Sequence, residues 1–110
     1  MKLPNADQAI VDIQKLRDYC LNPKHPRGRH KARVFASRLG ITAQQADLLQ
    51  NALAQAARRQ VASLGFTDQY GMRYMIDFEM NGPLGRAMVR SSWIVRNGEN
   101  VARLTSCYVL

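Results

Sequence analysis

No acidic residue occurs between Asn22 and Phe35, in the stretch NPKHPRGRHKARVF. The same stretch holds five cations, Lys24, Arg27, Arg29, Lys31 and Arg33, and both histidines of the chain, His25 and His30. The missing acids exclude ion pairing within the segment. Cysteine is equally scarce. Cys20 and Cys107 stand alone, outside any CxxC or zinc-like spacing, which excludes a zinc-held fold and leaves two buried free thiols as the expectation. No segment approaches the roughly twenty apolar residues of a membrane span. The beginning MKLPNADQAIVDIQKL carries acids and no long apolar run, unlike a signal peptide, so a cytoplasmic location is expected. Walker A, GxGxxG after a strand, GxSxG and HExxH are all absent, and no cofactor is expected. Asp77 and Glu79 have no further acid near them in the sequence, which argues against a metal nuclease, and no metal site is expected.

What is present is positive charge. Sixteen Lys and Arg stand against eight Asp and Glu, a net +8 with a pI near 10.2. A charge of that size on 110 residues favours an anionic partner: nucleic acid, an acidic protein or a lipid head group. The plainer alternative is a basic surface that only aids solubility. Apolar residues make up 46% of the chain, enough for one real core, and residues 1–110 read as a single domain.

The first half reads as helix. NADQAIVDIQKLRDYCLN places Ile10, Ile13, Leu16, Cys20 and Leu21 at helical spacing, and Asn22-Pro23 ends the run. RHKARVFASRLG is a second helix with Val34, Phe35, Arg38 and Leu39 as its stripe and Gly40 just past its end. TAQQADLLQNALAQAARRQVASLG is a third, opened by a Thr42–Gln45 capping box and burying Ala46, Leu49, Leu53, Ala56 and Ala57.

The second half alternates. Tyr74, Ile76, Phe78 and Met80 face one way, as do Ala87, Val89, Ser91, Trp93 and Val95; NGPLG and NGEN are turns, and VARLTSCYVL is the last strand. The expected architecture is α+β, with three N-terminal helices packed on a C-terminal antiparallel meander of three or four strands. The polar face is expected to hold Arg73, Asp77, Glu79, Arg86, Arg90, Ser92, Arg103 and Thr105.

Three groups of residues offer chemistry. In the basic segment, His25 and His30 offer imidazoles for proton transfer and Arg27, Arg29, Lys31 and Arg33 offer phosphate contacts; a solvated loop is the plain alternative. Lys31 opposes the dipole of the helix it opens, which hints that its charge is wanted there. On the polar face, Arg86, Arg90 and Arg103 on neighbouring strands would repel one another unless an anion or a carboxylate intervenes. Ser92 and Thr105 would then be hydrogen-bond donors to a bound phosphate, whereas Asp77 and Glu79 are the carboxylates of the purely structural reading. Among the aromatics, Tyr74 and Trp93 fit the core; Tyr70, beside Gly71, is free to stack on a base or donate a proton, and Tyr108 fits either role. His, Lys, Arg and Tyr together suit RNA cleavage without metal, since the nucleophile is the substrate's own 2′-hydroxyl and the protein need supply only an acid, a base and cations.

The segments KLPNADQAIVD, YCLNPKHPRGRHKARVFASRLGIT, YGMRYMIDFEMNGPLGRAMVRSSWIV and RLTSCYVL resemble an uncharacterised family of small bacterial domains. Its members occur alone beside a small antitoxin-like gene, and at the C-termini of polymorphic toxins and of some phage head-associated proteins. The order of helices then antiparallel sheet is similar to the barnase–EndoU–colicin–RelE group of metal-independent ribonucleases. The resemblance covers nearly the whole chain. It implies a toxin acting on RNA (tRNA or mRNA), held by a small, acidic antitoxin through which it could oligomerise, with no membrane partner. The matching positions with usable chemistry are His25, Lys31, Tyr70, Arg90, Thr105 and Tyr108. Three alternatives stay open: a nucleic-acid-binding module without catalysis, an interaction protein whose basic face holds an acidic partner, and a transferase using a nucleotide cofactor.

Overall fold

The computed structural model describes residues 1–110. Helices lead and an antiparallel sheet follows, an α+β fold. Ile13–Lys15 winds directly into a π-helical turn, Leu16–Cys20; together they form helix α1. Asp12, in extended conformation, caps it by accepting from the Gln14 N–H at 2.9 Å. Helix α2 is Arg29–Val34 continued by the π turn Phe35–Leu39, and Gly40 ends it at φ 72°, a conformation only glycine adopts freely. Helix α3, Ala46–Arg59, is led by a tight turn over Ala43–Gln45. The Thr42–Gln45 capping box is present, with Gln45 Oε1 accepting from the Thr42 N–H at 3.0 Å and its hydroxyl at 2.7 Å. All five residues of the expected α3 stripe are buried.

The sheet consists of β1 (Ser63–Asp68), β2 (Gly71–Gly82), β3 (Gly85–Arg96) and β4 (Arg103–Val109), antiparallel and paired in sequence order. Its inner face buries Tyr74, Ile76, Phe78, Met80, Ala87, Val89 and Trp93 with Leu104, Cys107 and Val109 against the helices, whose Leu16, Phe35, Leu39, Leu49 and Leu53 complete the core. Each such side chain contributes about 1.5–3 kcal/mol by leaving water. Ser91 is the one polar residue among the buried set, and it is satisfied. Its Oγ donates to the Ile76 carbonyl and accepts from Trp93 Nε1, both at 2.9 Å.

Four local expectations are corrected. The first helix does not run over 5–22. Ala6–Gln8 is a single tight turn, and Ile10 is extended, exchanging hydrogen bonds with the edge of β4 (Ile10 N–H to Ala102 O, 2.9 Å; Leu104 N–H to Ile10 O, 3.0 Å). An open strand edge satisfies that backbone as well as a helix would, and Ile10 is exposed, not buried in a stripe. The third helix stops at Arg59, and Ser63–Asp68 becomes the edge strand β1. Nearly all of β1 is exposed, so it lacks the alternation that marks a half-buried strand. In β4 the pairing shifts between Ser92 and Trp93, where Thr105 is the extra residue. This bulge changes the parity of the strand. Arg103, Ser106 and Tyr108 lie opposite Ile94, Ser92 and Arg90 on the outer face, and Thr105 is removed from the alternation in which it was expected. In α2, Arg38 is exposed and leaves the apolar stripe to Phe35 and Leu39.

Candidate active site

The basic segment is folded tightly onto helix α1. Asn22 Oδ1 accepts from the Lys24 N–H at 2.9 Å, and its amide donates to the Asp18 carbonyl at 3.1 Å. His25 Nδ1 accepts from two backbone N–H groups, Arg27 at 3.0 Å and Gly28 at 3.1 Å. The His25 ring stands edge-on to Tyr19, with centroids 4.8 Å apart. Gly28 packs against the Tyr19 carbonyl so closely that a Cβ would collide with it. The Gly28 carbonyl then accepts from Ala32 N–H at 2.9 Å and starts α2.

This arrangement decides the role of His25. Two donors converge on Nδ1, so that nitrogen holds a lone pair and the proton sits on Nε2. Nε2 cannot accept a proton while the turn is intact. His25 is therefore the pin of the turn, and the expectation of a proton-transfer role for it is not supported by its geometry. His30, in the first turn of α2, is exposed and makes no side-chain hydrogen bond to the protein. Arg27, Arg29 and Arg33 are likewise exposed and have no carboxylate within ion-pairing distance.

The product of the turn is the position of Lys31. Helix α2 packs against β4. Lys31, half-buried, lies with Nζ 5.8 Å from the Tyr19 ring centre and 5.1 Å from that of Tyr108. Contacts of this kind contribute about 0.5–2 kcal/mol and offset the unfavourable place of the charge in the first turns of a helix. Tyr108 lies directly across from Arg90 in the sheet. Arg90 is held from the other side by Asp77, in a two-point contact of Nε to Oδ1 and Nη2 to Oδ2, each 2.9 Å. Asp77 first and Tyr108 second push the Arg90 pKa above its ordinary value, and the same Arg90 hydrogen bonds hold the Asp77 carboxyl below the usual carboxylate range. Lys31, Tyr108 and Arg90 thus form a continuous row from α2 across β4 to β3, on the outer side of the sheet.

Beneath the row, Lys15 Nζ donates to the Thr105 carbonyl at 3.4 Å, and Thr105 donates its hydroxyl to the Ser92 carbonyl at 3.1 Å. Thr105 thereby locks the bulge and has no hydrogen left for a ligand. Ser92 and Ser106 face each other two pairs along from Arg90 and Tyr108, and the Ser106 Oγ is buried without a hydrogen-bond partner. Cys20 and Cys107 are free and buried, and the influence of each on the other holds the Cys20 thiol below and the Cys107 thiol above the usual thiol range.

The other expected site residues are elsewhere. Arg86 pairs with Glu79 at 3.8 Å near the far hairpin, and Arg103 pairs with Glu99, Nε to Oε1 at 3.1 Å. The register places Arg103 opposite Ile94 and Arg90 opposite Tyr108, so the expected row of adjacent, repelling arginines does not exist. Arg86 and Arg103 thus each lie beside a carboxylate of their own, as Arg90 does beside Asp77. Tyr70 is exposed at the β1–β2 turn beside Gly71, six residues along β2 from Asp77 and so roughly 20 Å away. Sequence reasoning missed Tyr19 and Ser106, neither of which left a signal. Asp77 was expected as a carboxylate partner of the sheet arginines, and it holds Arg90.

Two clefts, of about 370 Å³ between α3 and β2 and about 440 Å³ beside Pro23 and Arg33, contain none of Lys31, Arg90 or Tyr108. The row lies on an open face, which suits an extended polymer better than a small molecule.

Residues 2–110 match the family model described as a domain of unknown function, DUF6883, and the chain belongs to that family. No curated protein matches the chain. Among solved structures, one chain of a contact-dependent growth inhibition toxin–immunity protein complex from Klebsiella pneumoniae 342 is similar, with a TM-score of 0.72 and 18% identity over 92% of this chain and 99% of that one. At that identity the likeness establishes the shared fold.

Proposed function

We propose that this DUF6883 domain is the toxin of a toxin–immunity pair and cleaves cellular RNA, tRNA or mRNA, without a metal ion. The observation that carries the reading is the convergence of Lys31, Arg90 and Tyr108 from three separate elements onto one open, basic face. The similar solved structure contains both a toxin and an immunity protein. The net +8 favours the toxin side, because the partner of an RNA-binding toxin must itself offer negative charge.

In this mechanism the 2′-oxygen of a ribose attacks the adjacent phosphorus and the bond to the 5′-oxygen breaks. The products are a 2′,3′-cyclic phosphate and a free 5′-hydroxyl, and no water enters. Lys31 and Arg90 hold the non-bridging oxygens and stabilise the charge that builds on them. Asp77 fixes the fork of Arg90, with further guanidinium N–H groups available to the phosphate. Tyr108 and His30 carry the two proton transfers, one from the 2′-hydroxyl and one to the departing oxygen. The acid-free segment with Arg27, Arg29 and Arg33 grips neighbouring phosphates. The partner is a small acidic protein that covers this face, and the site of action is the cytoplasm.

The test is cleavage of total cellular RNA in excess EDTA by protein freed of any partner, with Lys31→Ala and Tyr108→Phe as controls. Discrete fragments ending in cyclic phosphate, from the wild type alone, are expected. Intact RNA that is nonetheless bound with a steep salt dependence would replace the ribonuclease by a non-enzymatic RNA-binding module.

A further inference from the structure

The chain has eight Phe, Tyr and Trp, and most are buried or half-buried. The two strongly exposed ones belong to the same hairpin: Phe66 in β1 is 66% exposed and Tyr70 in the following turn 61%. Both lie outside the row described above. Arg73, on the outer face of β2, lays its guanidinium over the Phe66 ring at 5.3 Å and is fixed there by Asp68, Nη2 to Oδ2 at 3.1 Å and Nε to Oδ2 at 3.1 Å. Asp68 also accepts from the Tyr70 N–H at 2.9 Å, so one carboxylate sets both the arginine and the turn. Arg96 is paired with Gly71 across the ladder, at the same end of the sheet. It is exposed and is the one arginine of the sheet without an ion pair.

An exposed phenyl ring under a clamped guanidinium, a second exposed ring in the adjoining turn and a free cation at the same end of the sheet match the physical needs of a single-stranded nucleic acid. Bases stack on the rings and on the guanidinium plane, and the free cation meets the backbone. We propose that the outer side of the β1–β2 hairpin, through Phe66, Tyr70, Arg73 and Arg96, is a base-stacking platform for single-stranded RNA, a subsite distant from the Lys31–Arg90–Tyr108 row. Phe66 is one strand beyond Arg73, Tyr108 two strands beyond Asp77 in the other direction, and Arg73 and Asp77 four residues apart. The platform is therefore roughly 20 Å from the row, a distance spanned by several nucleotides of unpaired RNA. It rests on the reading of the row as an RNA site and adds what that reading lacks: the substrate must be unpaired well away from the bond that breaks.

A protein partner would use the other side of the hairpin more readily. There Leu64 and Met72 point the opposite way, both exposed and apolar.

The test measures binding and cleavage separately. Wild type, Phe66→Ala, Tyr70→Ala and Phe66→Trp are titrated with a fluorescent single-stranded 2′-O-methyl RNA of about ten nucleotides, which cannot be cleaved. Both positions changed are on the surface, and melting curves confirm folding. Each alanine variant is expected to weaken binding by roughly five- to a hundredfold. Phe66→Trp is expected to retain affinity and to lose its indole fluorescence on binding, as a stacked ring does. Cleavage of a dinucleotide, too short to reach the hairpin, is expected to be unchanged in all of them. Binding that is equal in wild type and both alanine variants overturns the platform, even if cleavage of long RNA proceeds. The same holds if those substitutions weaken only the complex with the immunity protein. Tight binding by wild type that Phe66→Ala abolishes, with no cleavage of any RNA, upholds the platform and overturns the ribonuclease reading.

Discussion

Residues 1–62 contain eleven Lys and Arg against four Asp and Glu; residues 63–110 contain five against four. The difference is larger still in space. All four ion pairs of the protein, Arg73–Asp68, Arg86–Glu79, Arg90–Asp77 and Arg103–Glu99, are in the sheet half, and the helical half has none. From Asp18 to Asp47 the chain passes through six cations without meeting an acid. The sheet arginines are thus held in fixed directions, while the cations of the helical half are left to the solvent or to a ligand. Half-exposed pairs such as these contribute only about 0–1 kcal/mol each, so what they supply is orientation more than stability. The anion-attracting charge comes from one half and the geometric precision from the other, and Lys31 and Arg90 are where the two meet.

The largest effect that would break this comparison is at that meeting point. Lys31→Ala is expected to lower RNA cleavage by roughly 10²- to 10³-fold, the loss typical of a single donor to a developing oxyanion, with little change in melting temperature. Arg90→Ala should lower activity comparably and stability as well, since Asp77 loses its partner in the ladder. Cleavage rates and melting curves on both variants decide it. A Lys31→Ala protein that melts early but cleaves normally would make Lys31 a structural residue and leave Arg90 without a partner in the chemistry.

How much of this was legible in the sequence differs between the halves for a physical reason. Strands β2 and β3 are buried on one face and solvated on the other, so their alternation wrote Tyr74, Ile76, Phe78 and Met80 into the core in advance. β1 is exposed on both faces and carried no such pattern. The bulge at Thr105 was invisible because parity in β4 depends on a single extra residue, and with it Tyr108 and Ser106 turned to the outer face. In the site, the residue types are written in the sequence and their hydrogen-bond partners are not. The charge and the histidines of the basic segment are plain to read, but a side chain that accepts from its own turn looks in sequence like one that awaits a substrate. Likewise Arg86 and Arg103 could be read as free, since Glu99 meets Arg103 only through the fold of the last hairpin.

The second effect, of intermediate size, sharpens the contrast between pinned and free groups inside the basic segment. His25→Ala removes the acceptor of two backbone N–H groups and is expected to lower stability by about 1–3 kcal/mol, with activity falling because Lys31 loses its support. His25→Asn places an amide oxygen where Nδ1 was, and should restore both stability and cleavage to within several-fold of the wild type. Urea unfolding and RNA cleavage on the two variants separate the roles. A general base would be lost equally in both, so an inactive but stable His25→Asn protein would return proton transfer to His25.

The smallest effect is in the sheet and is read through pH. The Asp77 carboxyl is held below its ordinary range, chiefly by hydrogen bonds from Arg90. A depressed folded-state pKa means that the pair stabilises the protein above the unfolded value of about 3.9. That contribution disappears as pH falls through the lower folded-state value. Asp77→Asn keeps the shape and one acceptor but cannot titrate. The wild type is expected to exceed it in stability by no more than about 1 kcal/mol at neutral pH, because both partners are about one-third exposed and solvent screens them. The gap should be constant down to roughly pH 5 and close progressively below pH 4. Urea titrations across that range check it, and added salt should narrow the neutral-pH gap further. A gap that persists in acid would mean that Asp77 stabilises the ladder by packing rather than by charge, and Arg90 would then be free to turn toward a phosphate like the cations of the helical half.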